Sequence, residues 1–304
     1  MNKFVSKEEG RLDVILSQEL NISRAQAQKI IKNGVKVNSK IASKSGYAVF
    51  NGDEIEYEEI EIEENKFTPS DIQLDIIYED EDILVINKPR GLVVHPAPGH
   101  HCDTLANGLA YKFNNEELEE DEEFRMGIVH RIDKDTSGLL VVAKNSQSKE
   151  FLSNQISQHL VKREYICLAT GIFKDQKFRV EAPIARNPFQ RKMMSVDVKN
   201  GKSAITHFEV IKQFSSLALL KCDLETGRTH QIRVHLSYIK HPIVGDKVYG
   251  LKNDFGCKKG QLLHAYKLTL THPRSLKEMT FLAPLDDYFK ESLERLVGTS
   301  NIDY

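Results

Sequence analysis

Residues 127–145 read Gly-Ile-Val-His-Arg-Ile-Asp-Lys-Asp-Thr-Ser-Gly-Leu-Leu-Val-Val-Ala-Lys-Asn, a polar octet from Arg131 to Gly138 held between two apolar runs. This pattern predicts a loop presented by two strands. Asp133 and Asp135 alternate with Arg131 and Lys134, more charge than a turn needs for its own geometry. A carboxylate placed beside a cation suits a nucleophile or a general base. Calcium chemistry fits less well. Asp133, Asp135, Ser137 and Gly138 match the early ligand positions of a calcium-binding helix-loop-helix, but Lys144 stands where the bidentate Glu belongs. Kinase chemistry fails on spacing: Ile132 separates His130-Arg131 from Asp133, no Gly-rich loop precedes them, and Asp254-Phe255-Gly256 lies far downstream.

A reacting carboxylate inside a closed pocket is desolvated and needs a cation to keep it ionised. Arg233 is the candidate, on a helix expected over 229–239 and capped by Thr229, where it can point inward. Arg228, at the entrance of that helix, is better placed for a phosphate. Asp135, Thr136 and Ser137 read as turn formers, and His130, His230 and His235 as structural or partner-contacting groups. The elements that must position this chemistry are strands in runs (83–86, 139–143, 164–170, 206–211, 218–223 and 267–271) with few helices (104–113, 148–159 and 229–239). Without a regular βαβ rhythm, the fold class is α+β with a largely antiparallel sheet.

The N-terminal stretch is built differently. Ser23-Arg24-Ala25-Gln26 forms a capping box and Gly34 closes the helix that follows, with Arg24, Lys29 and Lys32 exposed and Ala27, Ile30 and Ile31 as the buried stripe. Val35 and Val37, an Asn38-Ser39 turn and Ile41 then predict a hairpin carrying Lys36. The formal charge of −2 hides an uneven distribution. Residues 1–50 hold 9 Lys and Arg against 4 Asp and Glu, residues 51–82 hold 1 against 14, and residues 83–304 hold 32 against 26. Two basic bodies flank an acidic connection, so a nucleic-acid partner is not excluded by net charge.

The 4 cysteines show no C-x-x-C pairing, and His100-His101-Cys102 has no second ligand cluster of matching spacing. Neither a metal nor a disulfide framework is expected. The first ten residues meet charge before an apolar run develops, which predicts a cytoplasmic protein without leader or span.

The octet with the residue before it, His130-Arg131-Ile132-Asp133-Lys134-Asp135-Thr136-Ser137-Gly138, resembles the active-site loop of pseudouridine synthases of the ribosomal large-subunit type, with Ile132 at a place usually held by Leu. Further blocks resemble the same family: Asn87-Lys88-Pro89-Arg90-Gly91, Lys162-Arg163-Glu164-Tyr165, Thr226-Gly227-Arg228-Thr229-His230-Gln231-Ile232-Arg233, Leu263-His264-Ala265 and Ala283-Pro284. Residues 11–57 resemble the S4 RNA-binding domain. The resemblance is to the synthase D and C group in particular. It implies an S4 module at 1–65, a linker at 66–72 and a catalytic domain at 73–304 with a mixed, largely antiparallel bifurcated sheet.

It further implies Asp133 as the reacting carboxylate, Tyr165 stacked on the base and Arg233 as partner. Arg131 would hold a flipped-out uridine by its phosphate, while Arg24, Lys29, Lys32 and Lys36 contact RNA. The reaction needs no cofactor, because one glycosidic bond is exchanged for another. The expected partner is large-subunit ribosomal RNA, bound by a monomer. The competing expectation is a non-catalytic ribosome assembly factor on the same scaffold. Two residues depart from the family's usual wording: Arg90, read as an added phosphate contact, and Lys240, where Gly is usual.

Overall fold

A computed structural model describes residues 2–20, 22, 24–58, 68–97, 99–113, 125–190 and 193–299. Ser23, the first residue of the expected capping box, and the acidic run 114–123 lie outside the described residues. The chain divides between residues 66 and 67 into two compact units.

In the first unit the strands are β1 Asn2–Val5, β2 Gly10–Arg11, β3 Val35–Val37, β4 Lys40–Ile41, β5 Ala48–Val49 and β6 Glu54–Tyr57. The helices are α1 Leu12–Glu19 and α2 Arg24–Gly34. Strands β1, β6, β3 and β4 form one sheet in that order, and β2 pairs with β5. The β3–β4 hairpin turns on Asn38 and Ser39, whose φ of 48° and 63° are those of a type I′ turn. Ala27, Ile30 and Ile31 of α2 are buried against Leu12, Ile15 and Leu16 of α1 while Arg24, Lys29 and Lys32 remain exposed. The helical period read from the sequence thus sets this small core.

The second unit opens with residues 68–74, expected in part as linker, running along α3 Leu105–Lys112. The Asn107 side-chain amide donates to the Thr68 carbonyl at 2.8 Å, and a Cβ at Gly108 would touch Ile72 and Leu74. The remaining elements are β7 Ile76–Glu79, β8 Ile83–Lys88, β9 Ser137–Ala143, α4 Ser146–Ser157, β10 Lys162–Thr170, β11 Lys177–Glu181, β12 Ile184–Arg186 and β13 Met194–Val196. They continue through β14 Ile205–Gln213, β15 Leu217–Leu224, α5 Gln231–Tyr238, β16 Leu263–Thr271, β17 Glu278–Leu282 and α6 Asp287–Val297.

Nine strands form one sheet in the order β11-β14-β15-β10-β16-β9-β8-β7, with β17 branching from β16. Every pairing is antiparallel except β9 with β16. The sheet divides at β16: His264 and Ala265 pair with Ser137 and Gly138 of β9, and Lys267 to Thr271 pair with β17. Gly138 is what permits the split. Its φ is 109° and a Cβ there would lie 2.2 Å from the Ala265 carbonyl oxygen. Asp133 stands just before this fork. No helix of the described residues is long and apolar enough to cross a membrane.

Two local expectations are corrected. Only the run after the octet is a strand. Before it, Arg125–Gly127 form a 3-10 turn and Ile128 makes an isolated bridge to Val142. The ladder stops there because the His130 ring, not a backbone carbonyl, accepts from Val141 N–H at 3.1 Å. Helix α5 begins at Gln231, with His230 in left-handed conformation at its N-cap and Thr229 exposed. The Gln231 side chain takes the capping work, accepting from Arg228 N–H and from the Thr226 hydroxyl, both at 2.9 Å.

Candidate active site

The octet does not depend on its own backbone for shape. Thr136 N–H donates to the Asp133 carbonyl at 3.1 Å, and everything else comes from other elements. The buried Lys88 ammonium, at the end of β8, donates to the carbonyls of Pro89, Leu92 and Lys134, and Gly91 N–H also reaches Lys134. Arg90 donates to the carbonyls of Asp135 and Gln261 and pairs with Asp286 at 3.1 Å. Its side chain is only 7% exposed, which corrects its reading as a phosphate contact: burial and three acceptors make it a brace. Thr136 accepts from Gln261, and Ser137 donates to Asp286, the N-cap of α6. These two serve tertiary bonds instead of a self-contained turn.

On that brace Asp133 meets Arg233. The guanidinium donates through Nη1 to Asp133 Oδ2 at 2.8 Å, and through Nε and Nη2 to both oxygens of Asp246 at 2.7 and 3.0 Å. Asp246 is buried and also accepts from Val248 and Tyr249 N–H, each at 2.9 Å. Burial opposes charge on Arg233, but the bonds from Asp246 and then Asp133 outweigh it and hold its pKa above the ordinary value. Asp246 behaves in the mirror sense: burial favours its neutral form, yet Arg233 and the two backbone donors keep its pKa low. The Tyr249 ring lies 5.0 Å from the Arg233 guanidinium carbon.

One oxygen of Asp133 stays available. Oδ1 has His230 Nε2 as its neighbour at 3.8 Å, beyond hydrogen-bond reach. The Tyr249 hydroxyl accepts from Met194 N–H and shares a hydrogen bond with His230 Nδ1, both at 2.8 Å. Burial lowers the His230 pKa, with Asp133 acting the other way. His235, in contrast, is locked between Thr206 and the Ala182 carbonyl.

Asp133, His230 and Arg233 line a cavity of about 260 Å³, together with Tyr165, Arg131, Arg228 and Arg163. Tyr165, on β10, is buried, and burial pushes its phenol pKa up to about 12, so it presents a neutral ring. Arg131 is exposed at the cavity, and half-buried Arg228 donates through Nε to the Ser203 carbonyl at 2.9 Å. The structure therefore brings Asp133, Tyr165, Arg233, Arg131 and Arg228 to one cavity. Arg24, Lys29, Lys32 and Lys36 belong to the first unit. There Arg24 donates to the buried Asp13 at 2.8 Å.

The chain matches the family described as RNA pseudouridylate synthase over residues 82–238 and the S4 domain over residues 10–55. The chain belongs to the RNA pseudouridine synthases. It is 44% identical over 290 residues to "Uncharacterized RNA pseudouridine synthase YlyB" of Bacillus subtilis, covering 94% of each chain. It is 40% identical over 301 residues to "Ribosomal large subunit pseudouridine synthase D" of Haemophilus ducreyi, covering 94% of this chain and 90% of that one. Among solved structures, "Human RNA Pseudouridylate Synthase Domain Containing 4" superposes with a TM-score of 0.58 at 25% identity, over 73% of this chain and 92% of that one.

Three residues of this synthase's site were not singled out from the sequence: Arg163 on the cavity wall, and Asp246 and Tyr249 in contact with Arg233 and His230. Asp246 follows the apolar run Ile243-Val244 and Gly245, and an acid at the end of such a run was the available signal for a buried partner. Tyr249 had none. Arg163 sat inside a recognised block, overshadowed by its neighbour Tyr165. Elsewhere Asp80, Asp82 and His272 gather their ligand atoms within 4.8 Å. Arg274, Tyr78 and backbone N–H groups engage them, so the cluster is an ion-pair network.

Proposed function

We propose that this synthase isomerises specific uridines of large-subunit ribosomal RNA, with Asp133 as the reacting carboxylate. The observation that carries this reading is the division of labour on Asp133: Oδ2 is fixed by Arg233, and Oδ1 has no hydrogen-bond partner among the described residues. In the reaction the N1–C1′ bond breaks and a C5–C1′ bond forms, with the hydrogen of C5 lost and one gained at N1. No electrons or groups are exchanged with a second molecule, so the chemistry calls for no redox carrier. An ionised, oriented carboxylate oxygen serves either as nucleophile or as base. Tyr165 offers a neutral aromatic face for the uracil, a contact worth roughly 1–3 kcal/mol per base. A uridine enters such a cavity only when turned out of its stack, at a cost of a few kcal/mol, and Arg131 and Arg228 stand where its backbone phosphates would pass.

Relatives named for large-subunit pseudouridine synthesis support the ribosomal target. In this reading residues 1–65 hold RNA through Arg24, Lys29, Lys32 and Lys36, residues 66–72 connect, and residues 73–304 carry the chemistry, in a monomeric cytoplasmic enzyme.

Asp133→Asn tests it, since the substitution keeps the size and most hydrogen bonding while removing nucleophile and base together. Conversion in a large-subunit ribosomal RNA transcript should fall to background, with affinity changed by less than about tenfold, roughly 1.4 kcal/mol. Conversion that persists would refute Asp133. A wild-type protein that binds such RNA and converts none of its uridines would favour an assembly factor.

A further inference from the structure

Arg163 is the anomaly of the cavity wall. It is 8% exposed, yet among the described residues no acceptor lies within hydrogen-bond distance of its guanidinium, and its Nε is fully buried without a partner. The two other arginines with buried side chains in the unit are anchored by several bonds each, Arg90 by two carbonyls and Asp286 although its Nε is unpartnered, and Arg233 by two carboxylates. An unpaired buried charge costs several kcal/mol and is retained only when something outside the chain completes it.

The neighbours do not supply that completion. Glu164, next along β10, is engaged by Lys221, Lys267 and Tyr266. Asp133 shares the cavity with Arg163 but is held by Arg233. Beside it stands a second orphan. Because His130 Nε2 accepts from Val141 N–H, the neutral ring carries its proton on Nδ1, and that buried N–H has no acceptor. Burial, with Arg163 adding to it, drives the His130 pKa down to about 3, so the ring stays neutral. A guanidinium and an imidazole N–H, both lining the cavity and both without acceptors, call for a ligand with several oxygens and a negative charge.

We propose that Arg163, assisted by His130, binds a backbone phosphate of the target nucleotide while Tyr165 takes its base. Arg163 and Tyr165 are two residues apart on one strand, so they face the same side about 7 Å from each other, within the reach of a single nucleotide. Gly227 fits this role. A Cβ at 227 would lie 2.7 Å from Arg163 Nη1, so the glycine lets the guanidinium end come up against exposed backbone where a phosphate can approach. This inference rests on the cavity's taking the target uridine as proposed above.

The test uses two full-length variants and the large-subunit ribosomal RNA transcript as probe. Arg163→Met removes the charge and keeps most of the stem; Gly227→Ala keeps the charge and displaces the guanidinium end. For each, binding is measured as a function of salt, with thermal unfolding alongside. Loss of one phosphate contact should reduce the slope of log K against log salt by about 0.7, the single-strand value. Affinity should fall about tenfold in both. The melting temperature of Arg163→Met should equal or exceed that of the wild type, because an unpaired buried charge has been removed. A wild-type salt slope in either variant overturns the phosphate site, as does a lowered melting temperature of Arg163→Met with unchanged affinity, which would make Arg163 structural. Asp133→Asn measured in parallel separates the two readings: conversion retained there overturns the Asp133 assignment, whereas unchanged slopes with conversion lost overturn only the role of Arg163.

Discussion

Each unit of this synthase contains an aspartate tied to arginine, and the two pairs are built inside out relative to one another. In the first unit the carboxylate is buried: Asp13 is 0% exposed and accepts from Arg11, Arg24 and Gln28, while Arg11 and Arg24 are 56% and 55% exposed. In the second unit the arginine is buried: Arg233 is 5% exposed and donates to Asp246 and Asp133, and Asp133 keeps a free oxygen at the cavity. A buried acid with exposed guanidiniums presents cations to a partner. A buried guanidinium with a half-free acid presents a carboxylate. The same two residue types therefore present exposed cations in one unit and a half-free carboxylate in the other, according to which partner is taken out of water, which suits the RNA-binding and reacting roles proposed for them.

The largest effect should come from breaking the second cluster. Arg233→Met leaves Asp246 buried and unpaired, and a loss of about 3–5 kcal/mol is expected, read as a lowered denaturation midpoint together with lost conversion. Arg24→Ala removes only an exposed partner and should weaken RNA binding while the midpoint stays near that of the wild type. If both substitutions destabilised the protein equally, the inside-out contrast would be wrong.

Acid should act on both clusters. The pKa of Asp13 is held low chiefly by the bond from Arg11, with burial opposing and Arg24 and Gln28 reinforcing; that of Asp246 is held low by Arg233 against burial. A carboxylate depressed in the folded state contributes stability that is complete above its unfolded pKa of about 3.9 and is lost as pH falls through the folded value. Calorimetry from pH 5 downward should show melting temperatures falling below about pH 4, and Asp13→Asn should flatten that fall for the transition of the first unit only. An unaltered pH dependence in Asp13→Asn would remove Asp13 from its place at the centre of the first cluster.

The smallest effect lies outside both clusters and serves as their control. Lys240, just past α5, has a φ of 69°, a left-handed conformation that disfavours a residue with a Cβ. Lys240→Gly should stabilise the protein by about 0.5–1 kcal/mol without changing conversion or RNA affinity. A rate change there would show that the end of α5 communicates with the cavity.

Much of this was legible in the chain because the decisive residues carry their chemistry in their type. Asp133 and Arg233 were paired from the need of a desolvated carboxylate for a cation, and β8, β9, β10, β14 and β15 contain the runs expected for them. What could not be read were contacts made by distant segments. Asp246 completes a three-residue cluster with 133 and 233, and no periodicity records such a meeting. Arg90 resembles a free cation until Asp286 and Gln261 close around it. Helix α5 starts late because Thr226 and Gln231 bond each other, and the run before the octet fails as a strand because the His130 ring takes a ladder N–H. Arg163 is the instructive omission, since nothing in a sequence shows that a cation lacks a partner.

The central claim is that the Arg233 guanidinium fixes one oxygen of Asp133 so that the other can react. Arg233→Lys tests it most directly, because an ammonium cannot serve both oxygens of Asp246 and reach Asp133 as the planar fork does. Single-turnover conversion of a saturating large-subunit ribosomal RNA transcript should slow at least about a hundredfold, roughly 2.7 kcal/mol in barrier, with RNA affinity within about tenfold of the wild type. A wild-type rate in Arg233→Lys, with the RNA bound, would contradict the account.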